Sequence, residues 1–70
     1  MKFILILYVC SLVDGKCPVS SYLPYEFNNH LSCALAGYQY SYKALVELDP
    51  ETVNKEKLVV KFECKKLPSI

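Results

Sequence analysis

Four cysteines are the residues of this 70-residue sequence whose type and spacing could do chemistry: Cys10, Cys17, Cys33 and Cys64. Successive cysteines are separated by six, fifteen and thirty residues, which matches neither the close pairs of a structural zinc site nor a redox-active CxxC motif. Disulfides are the usual role of four cysteines in so small a chain. The spacing therefore favours two disulfides, and we expect no metal and no cofactor.

The predicted positions of the cysteines favour one of the three pairings that four cysteines allow. Cys10 and Cys64 both fall at ends of predicted strands whose neighbours point into the core. Cys33 projects from the predicted helix on the face away from that core, where the segment carrying Cys17 could lie across it. We therefore predict disulfides Cys10–Cys64 and Cys17–Cys33. The alternative is that some or all four cysteines are reduced and buried, as in a protein of a reducing compartment.

His30 is the only histidine, and it precedes Cys33 by three residues, so the two would be neighbours on a helix. Such a pair could act as base and nucleophile. No oxyanion donor or pocket can be argued beside it, and a surface histidine with a structural cysteine is the ordinary interpretation. Two glycines are too few for a phosphate-binding loop. We predict that the protein is not an enzyme.

The charge balance disfavours a nucleic-acid or anionic-membrane partner. Eight lysines face seven acidic residues, and the sequence contains no arginine, the residue best suited to bidentate recognition of phosphate and guanine. The hydrophobic content of 53% is too high for a disordered chain. The length permits one domain, residues 1–70.

The apolar run from Phe3 to Val13 after Lys2 has two interpretations. It has the outline of a secretory signal peptide, with residues 1–15 removed from a secreted or periplasmic protein. It also has the composition of a buried strand that ends in an Asp14-Gly15 turn. We favour the strand, because cleavage would remove Cys10 and leave an odd number of cysteines. Eleven apolar residues are too few for a membrane-spanning helix.

Periodicity predicts the remaining elements. The first strand, over residues 2–10, is apolar on both faces, so it is covered on both sides or lies at the centre of a sheet. A short edge strand over 16–20 and a loop over 21–27 follow. A helix over 28–47, capped by Asn28 or Asn29, and a short helical turn opened by Asp49-Pro50 precede the last strand, over 57–65. The sum is an α+β domain of two layers, one helix on a two- to three-stranded sheet.

The helix over 28–47 has two different faces. Its large apolar residues recur at helical spacing and predict the buried face: Leu31, Leu35, Tyr38, Tyr42, Leu45 and Val46. The opposite side carries small residues around Gly37, which predicts that another segment approaches that glycine closely.

Tyrosines outside the predicted core are candidates for contact with a protein. Tyr22, Tyr25 and Phe27 cluster in the predicted loop, and Tyr40 lies outside the main helical stripe. Tyrosine is enriched at protein interfaces. The alternative is that these rings cover a thin core. Lysines near the last strand are interpreted as a guard against strand-to-strand aggregation rather than a binding patch.

The pattern as a whole resembles a known group of proteins. Its elements are an apolar strand ending at Cys10, the segment Val13–Cys17, Cys33 in an amphipathic helix, Val53-Asn54-Lys55, and Lys61-Phe62-x-Cys64. The chain is similar to small uncharacterised four-cysteine proteins encoded by tailed phages, chiefly phages of marine bacteria. The resemblance implies a viral accessory product and no catalytic or binding residues.

Three functions follow as hypotheses. The first is an accessory protein that binds a host or viral protein, alone or as a homo-oligomer, in the host cytoplasm if the thiols are reduced. The second is the secreted or periplasmic disulfide-stapled peptide whose signal is residues 1–15. The third is a minor virion component whose edge strand joins a neighbouring sheet.

Overall fold

The structure, a computed structural model, describes residues 2–67. It contains a three-stranded antiparallel sheet and two helices, which confirms the predicted α+β class. The elements are β1 (Phe3–Ser11), β2 (Val19–Phe27), α1 (His30–Glu47), α2 (Pro50–Glu56) and β3 (Leu58–Lys66). The predicted first strand, long helix and last strand differ from β1, α1 and β3 by at most two residues at each end.

β1 is the central strand of the sheet. The strand order is β2-β1-β3, and β1 pairs antiparallel with both neighbours. α1 packs on one face of the sheet, against β1 and β3, and Leu5 beneath it is fully buried. A strand in this position needs apolar residues on both faces, which is why the sequence shows no alternation there.

β2 is an edge strand, and here the prediction from sequence was wrong. The expected short strand over 16–20 and loop over 21–27 are replaced by one strand, Val19–Phe27. Its register with β1 shifts, because Ile4 pairs with Glu26 whereas Ile6 pairs with Tyr22. Pro24 lies between those pairs, where its missing N–H costs no ladder hydrogen bond. Because of this register shift, β2 continues through Pro24, the residue from which the sequence predicted a loop.

The turn between β1 and β2 is tied to the rest of the fold by Ser11. Its backbone N–H donates to the carbonyl of Lys16 and its carbonyl accepts from Gly15, which adopts a positive φ of 74°. Its hydroxyl donates to the carbonyl of Glu56, at the end of α2, over 2.9 Å. The predicted Asp14-Gly15 turn is therefore present, and Asp14 accepts a hydrogen bond from the N–H of Lys16.

Both helices begin where the sequence predicted. Asn29 caps α1 by accepting a hydrogen bond from the N–H of Ser32 over 2.8 Å. Asp49 caps α2 in the same way, through Thr52, and Pro50 occupies the first turn. These side chains satisfy amide groups that have no partner within the helix.

α1 packs on the sheet through the face opposite to the predicted one. Cys33 and Gly37 are its buried residues, whereas the predicted stripe is exposed. The ring of Phe62 lies directly over Gly37, so that a Cβ there would lie 2.6 Å from the Phe62 Cγ. The predicted close approach at Gly37 is thus confirmed. Small side chains allow the helix to approach β3, which the large ones would prevent.

Candidate interaction surface

Six of the eleven exposed large hydrophobic residues in the described part of the chain lie along α1. We call the surface that they form the α1 stripe and define it by these six residues: Leu31, Leu35, Tyr38, Tyr42, Leu45 and Val46. Leu45 is 39% exposed, and the other five are between 61% and 71% exposed. Contiguous apolar surface of this kind is characteristic of protein interaction sites.

Contacts between α1 and β3 keep the α1 stripe on the side of the helix that faces away from the sheet. The Phe62 and Tyr38 rings meet in a T-shaped contact, with centroids 4.9 Å apart, and Tyr38 is still 71% exposed. Phe62 also fills the space above Gly37. The packing therefore fixes the rotation of α1 about its axis and leaves Leu35 and Tyr42 facing away from the sheet.

The cysteines form two disulfides, but the predicted pairing was wrong. Cys10 bonds to Cys17 and Cys33 bonds to Cys64, and every cysteine is paired. The alternative of reduced thiols is likewise not what the structure shows.

Sheet register explains why Cys10 and Cys64 do not meet. Cys10 lies opposite Val59 on β3, whereas Cys64 lies opposite Leu5. Val59 and Cys64 are separated by five steps along the strand, about 17 Å. An odd number of steps also places their side chains on opposite faces of the sheet.

The two disulfides have different structural roles. Cys33–Cys64 joins α1 to β3 across 31 residues of sequence and holds the small face of the helix against the sheet. Cys10–Cys17 spans only 7 residues and closes the turn after β1. The first disulfide fixes the orientation of α1, and the second fixes a local turn.

The pair His30 and Cys33 has no thiol chemistry in this structure. The Cys33 sulfur is bonded to Cys64, so it is not available as a nucleophile. The His30 ring packs edge-on against Phe3, with centroids 5.9 Å apart. The ordinary interpretation, a surface histidine and a structural cysteine, therefore describes both residues.

The candidate interface residues do not form one cluster. Tyr22 and Tyr25 are exposed on β2, and we call them the β2 tyrosines. Phe27 is half-buried and lies opposite Phe3, whereas Tyr22 lies opposite Ile6 and so belongs to the other face of the sheet. Tyr40 is half-buried on α1, where it lines a hollow of about 410 Å³.

The sheet face away from α1 is more polar. The Tyr8 hydroxyl donates to the Glu63 carboxylate over 3.2 Å. Desolvation first, and then the hydrogen bond and charge of Glu63, raise the pKa of Tyr8. A hollow of about 500 Å³ lies here, and Tyr8, Lys61 and Glu63 are among the residues that line it.

Sequence reasoning missed the α1 stripe as a surface. The signal was present, because Cys33 and Gly37 lie four residues apart on one helical face and both favour close packing. Large apolar residues at helical spacing indicated burial more strongly, so the face that carries them was predicted to pack on the sheet.

We also searched the described residues for a metal site and for a membrane-spanning helix. Between residues 2 and 67, no group of three His, Cys, Asp or Glu could hold a metal ion. Neither α1 nor α2 is long and apolar enough to cross a membrane. No protein-family model, curated protein or solved structure matches this chain.

Proposed function

We propose that the protein is a small non-enzymatic accessory protein that acts by binding another protein. The observation that carries this proposal is the exposed α1 stripe. Between residues 2 and 67, the hydrophobic residues classed as buried are Leu5, Cys10 and Cys33, many others are half-buried, and eleven large hydrophobic residues are exposed. Six of those eleven form the α1 stripe. A helix that leaves six large apolar side chains exposed along one face is suited to burying them against a partner.

The resemblance to phage proteins supplies the rest of the proposal. The protein is then a phage-type accessory factor, and its partner is a host or viral protein. The β2 tyrosines offer a second exposed contact surface beside an edge strand. Addition of a strand from a neighbouring virion subunit has less support, since Pro24 and the shifted register interrupt β2 and lysines lie along β3.

A comparative pull-down tests the proposal. The full-length oxidised protein would serve as bait beside two double variants, Leu35→Glu/Tyr42→Glu on the α1 stripe and Tyr22→Ser/Tyr25→Ser on β2. We expect wild type to retain a stoichiometric partner from a host lysate or to self-associate, and one of the variants to lose it. A wild-type protein that retains no partner and sediments as a monomer would contradict the proposal.

A secreted or periplasmic disulfide-stapled peptide is the second candidate, and the two disulfides favour it. Stable disulfides are typical of oxidising compartments. Cleavage after Gly15 would, however, remove β1, which pairs with both other strands, and would leave Cys17 without Cys10. We therefore infer that β1 is retained wherever the protein acts.

Intact mass under non-reducing conditions tests that inference. We expect the mass of a chain that retains β1, lower by the four hydrogens that two disulfides remove. A mature protein that begins after Gly15 would exclude the retained strand and favour the secreted peptide.

A further inference from the structure

We propose that α1 of a second copy of this chain covers the α1 stripe, so that the protein forms a two-fold symmetric dimer through a short two-helix coiled coil. This inference rests on the proposed function, in which the α1 stripe is a contact with protein. It adds the identity of the partner at that surface.

The spacing of the α1 stripe matches the seam of a two-helix contact. Five of its residues follow one another at steps of four, three, four and three: Leu31, Leu35, Tyr38, Tyr42 and Leu45. Alternating steps of three and four form the seam of a coiled coil, in which each side chain enters a hole on a facing helix.

The chain itself provides a helix with a matching seam. α1 has 18 residues, about 27 Å of helix, whereas α2 has 7 and no buried face. In a two-fold dimer the same surface is used on both copies, so a continuous apolar seam complements itself. The sheet lies on the opposite side of α1, bound through Cys33–Cys64, and does not obstruct a second helix.

The charges beside the seam permit self-association. The residues that flank it are uncharged: Ser32, Ala34, Gln39, Ser41 and Val46. Lys43 and Glu47 are the lysine and the acidic residue of α1, and neither borders the seam directly. Two copies therefore bring no like charges together along the seam, and no charge pattern selects a different chain.

The same charges argue against a membrane surface as the occupant. Helices that lie on anionic membranes carry several lysines or arginines beside their apolar face. α1 has one lysine, and the chain as a whole has a formal net charge of +1.

The exposed area is sufficient for a stable dimer. The six side chains of the α1 stripe expose on the order of 650 Å² per copy, so their complete burial on two copies would remove about 1,300 Å² from water, in the lower part of the range of specific interfaces.

Sedimentation equilibrium and native mass spectrometry of the oxidised full-length protein test the dimer. We expect a monomer–dimer equilibrium with a dissociation constant in the micromolar range or tighter. Leu35→Glu/Tyr42→Glu should weaken it at least about 100-fold, because each copy would bury unpaired charges in the seam. Tyr42→Leu should preserve the dimer, since leucine suits a seam position.

The matched controls are Leu12→Glu and Val13→Glu, alone and combined, which place the same charges at exposed apolar residues outside both α1 and β2. We expect all three to dimerise as wild type does. Circular dichroism and non-reducing mass would show that each variant retains its helices and both disulfides, so loss of the dimer would not reflect loss of the fold.

Three results would overturn the inference: a monomer at every concentration, a dimer that Leu35→Glu/Tyr42→Glu does not weaken, or equal weakening by the control variants. A monomeric wild type that still retains a partner through the α1 stripe would reject the second copy and leave the proposed function standing. A stripe-dependent dimer that binds no other protein would support the inference and reject the host or viral partner.

Discussion

The two faces of α1 differ in side-chain size, and the smaller one is buried. The face around Cys33 and Gly37 packs against β3, where a disulfide and an aromatic ring hold it. The face that carries Leu35 and Tyr42 is the more hydrophobic of the two, yet it remains exposed. In a chain this small, the helix turns toward the sheet the face whose small side chains allow the closest approach. The larger apolar side chains on its other face then remain exposed and available to a partner.

The largest expected effect is loss of the disulfide that selects the buried face. Cys33→Ala/Cys64→Ala removes a bond that closes 31 residues, and we expect the free energy of unfolding to fall by about 3–4 kcal/mol. Cys10→Ala/Cys17→Ala, which opens a loop of 7 residues, should cost about 2–2.5 kcal/mol. Urea denaturation measures both, and a costlier loss of Cys10–Cys17 would contradict the different roles assigned to the two disulfides.

Gly37→Ala tests the close approach itself. Alanine is about 1 kcal/mol better than glycine in a helix interior. Its methyl group would collide with the Phe62 ring, so we expect a net loss of about 1–3 kcal/mol in thermal or urea unfolding.

Two further variants control that result. Phe62→Leu should make the same Gly37→Ala change less costly, because the ring that it meets is gone. Gln39→Ala, at an exposed position of the same helix, should change stability by less than about 0.5 kcal/mol. Stabilisation by Gly37→Ala in the wild-type background would mean that the helix does not pack so closely.

Leu35→Ala addresses the exposed face and should have a smaller effect on folding. Leu35 is 61% exposed, so truncation removes few contacts within one copy, and we expect a loss below about 0.5 kcal/mol under conditions that keep the chain monomeric. A loss as large as that of Gly37→Ala would show that the α1 stripe is packed within the monomer, and the contrast between the two faces would fail.

The sheet face away from α1 gives the smallest expected effect, through the pair Tyr8 and Glu63. Because the pKa of Tyr8 is raised in the folded state, the unfolded chain loses that proton first. The stabilisation is present below the ordinary tyrosine pKa of about 10 and is lost as pH rises through the folded-state pKa. Glu63→Gln should lower the pKa of Tyr8 in an ultraviolet titration, with Tyr8→Phe identifying its step. An unchanged titration in Glu63→Gln would exclude the interaction.

Local signals in the sequence predicted most of the fold. Asn29 and Asp49 mark the starts of the helices, alternation marks β3, and a fully apolar segment marks the central strand. β2 was missed because Pro24 indicates a loop unless the partner strand accommodates a shift, and that shift depends on pairing with β1. Short-range pattern does not contain this information.

The disulfides and the site depended on relations between distant segments. The pairing of Cys33 with Cys64 follows from which face of α1 meets the sheet and from the β1–β3 register. The prediction placed Leu31 and Leu35 in the core. Because of this error, Cys33 was predicted on the helix face away from the sheet, and the α1 stripe was not recognised as an exposed surface. Hydrophobic periodicity identifies an amphipathic helix, but it does not show whether the apolar face packs on the sheet of the same chain or binds another molecule.

The position of β1 at the centre of the sheet also sets an order of events during folding. β1 can pair with β2 through a short turn, so Cys10–Cys17 joins segments that are neighbours early. β3 is separated from β1 in sequence by β2, α1 and α2, so its pairing with β1 is a long-range contact that forms more slowly. The Cys33–Cys64 disulfide depends on that pairing and therefore forms later. Trapping of free thiols during refolding would therefore capture a one-disulfide species closed at Cys10–Cys17, with the helix not yet attached to the sheet.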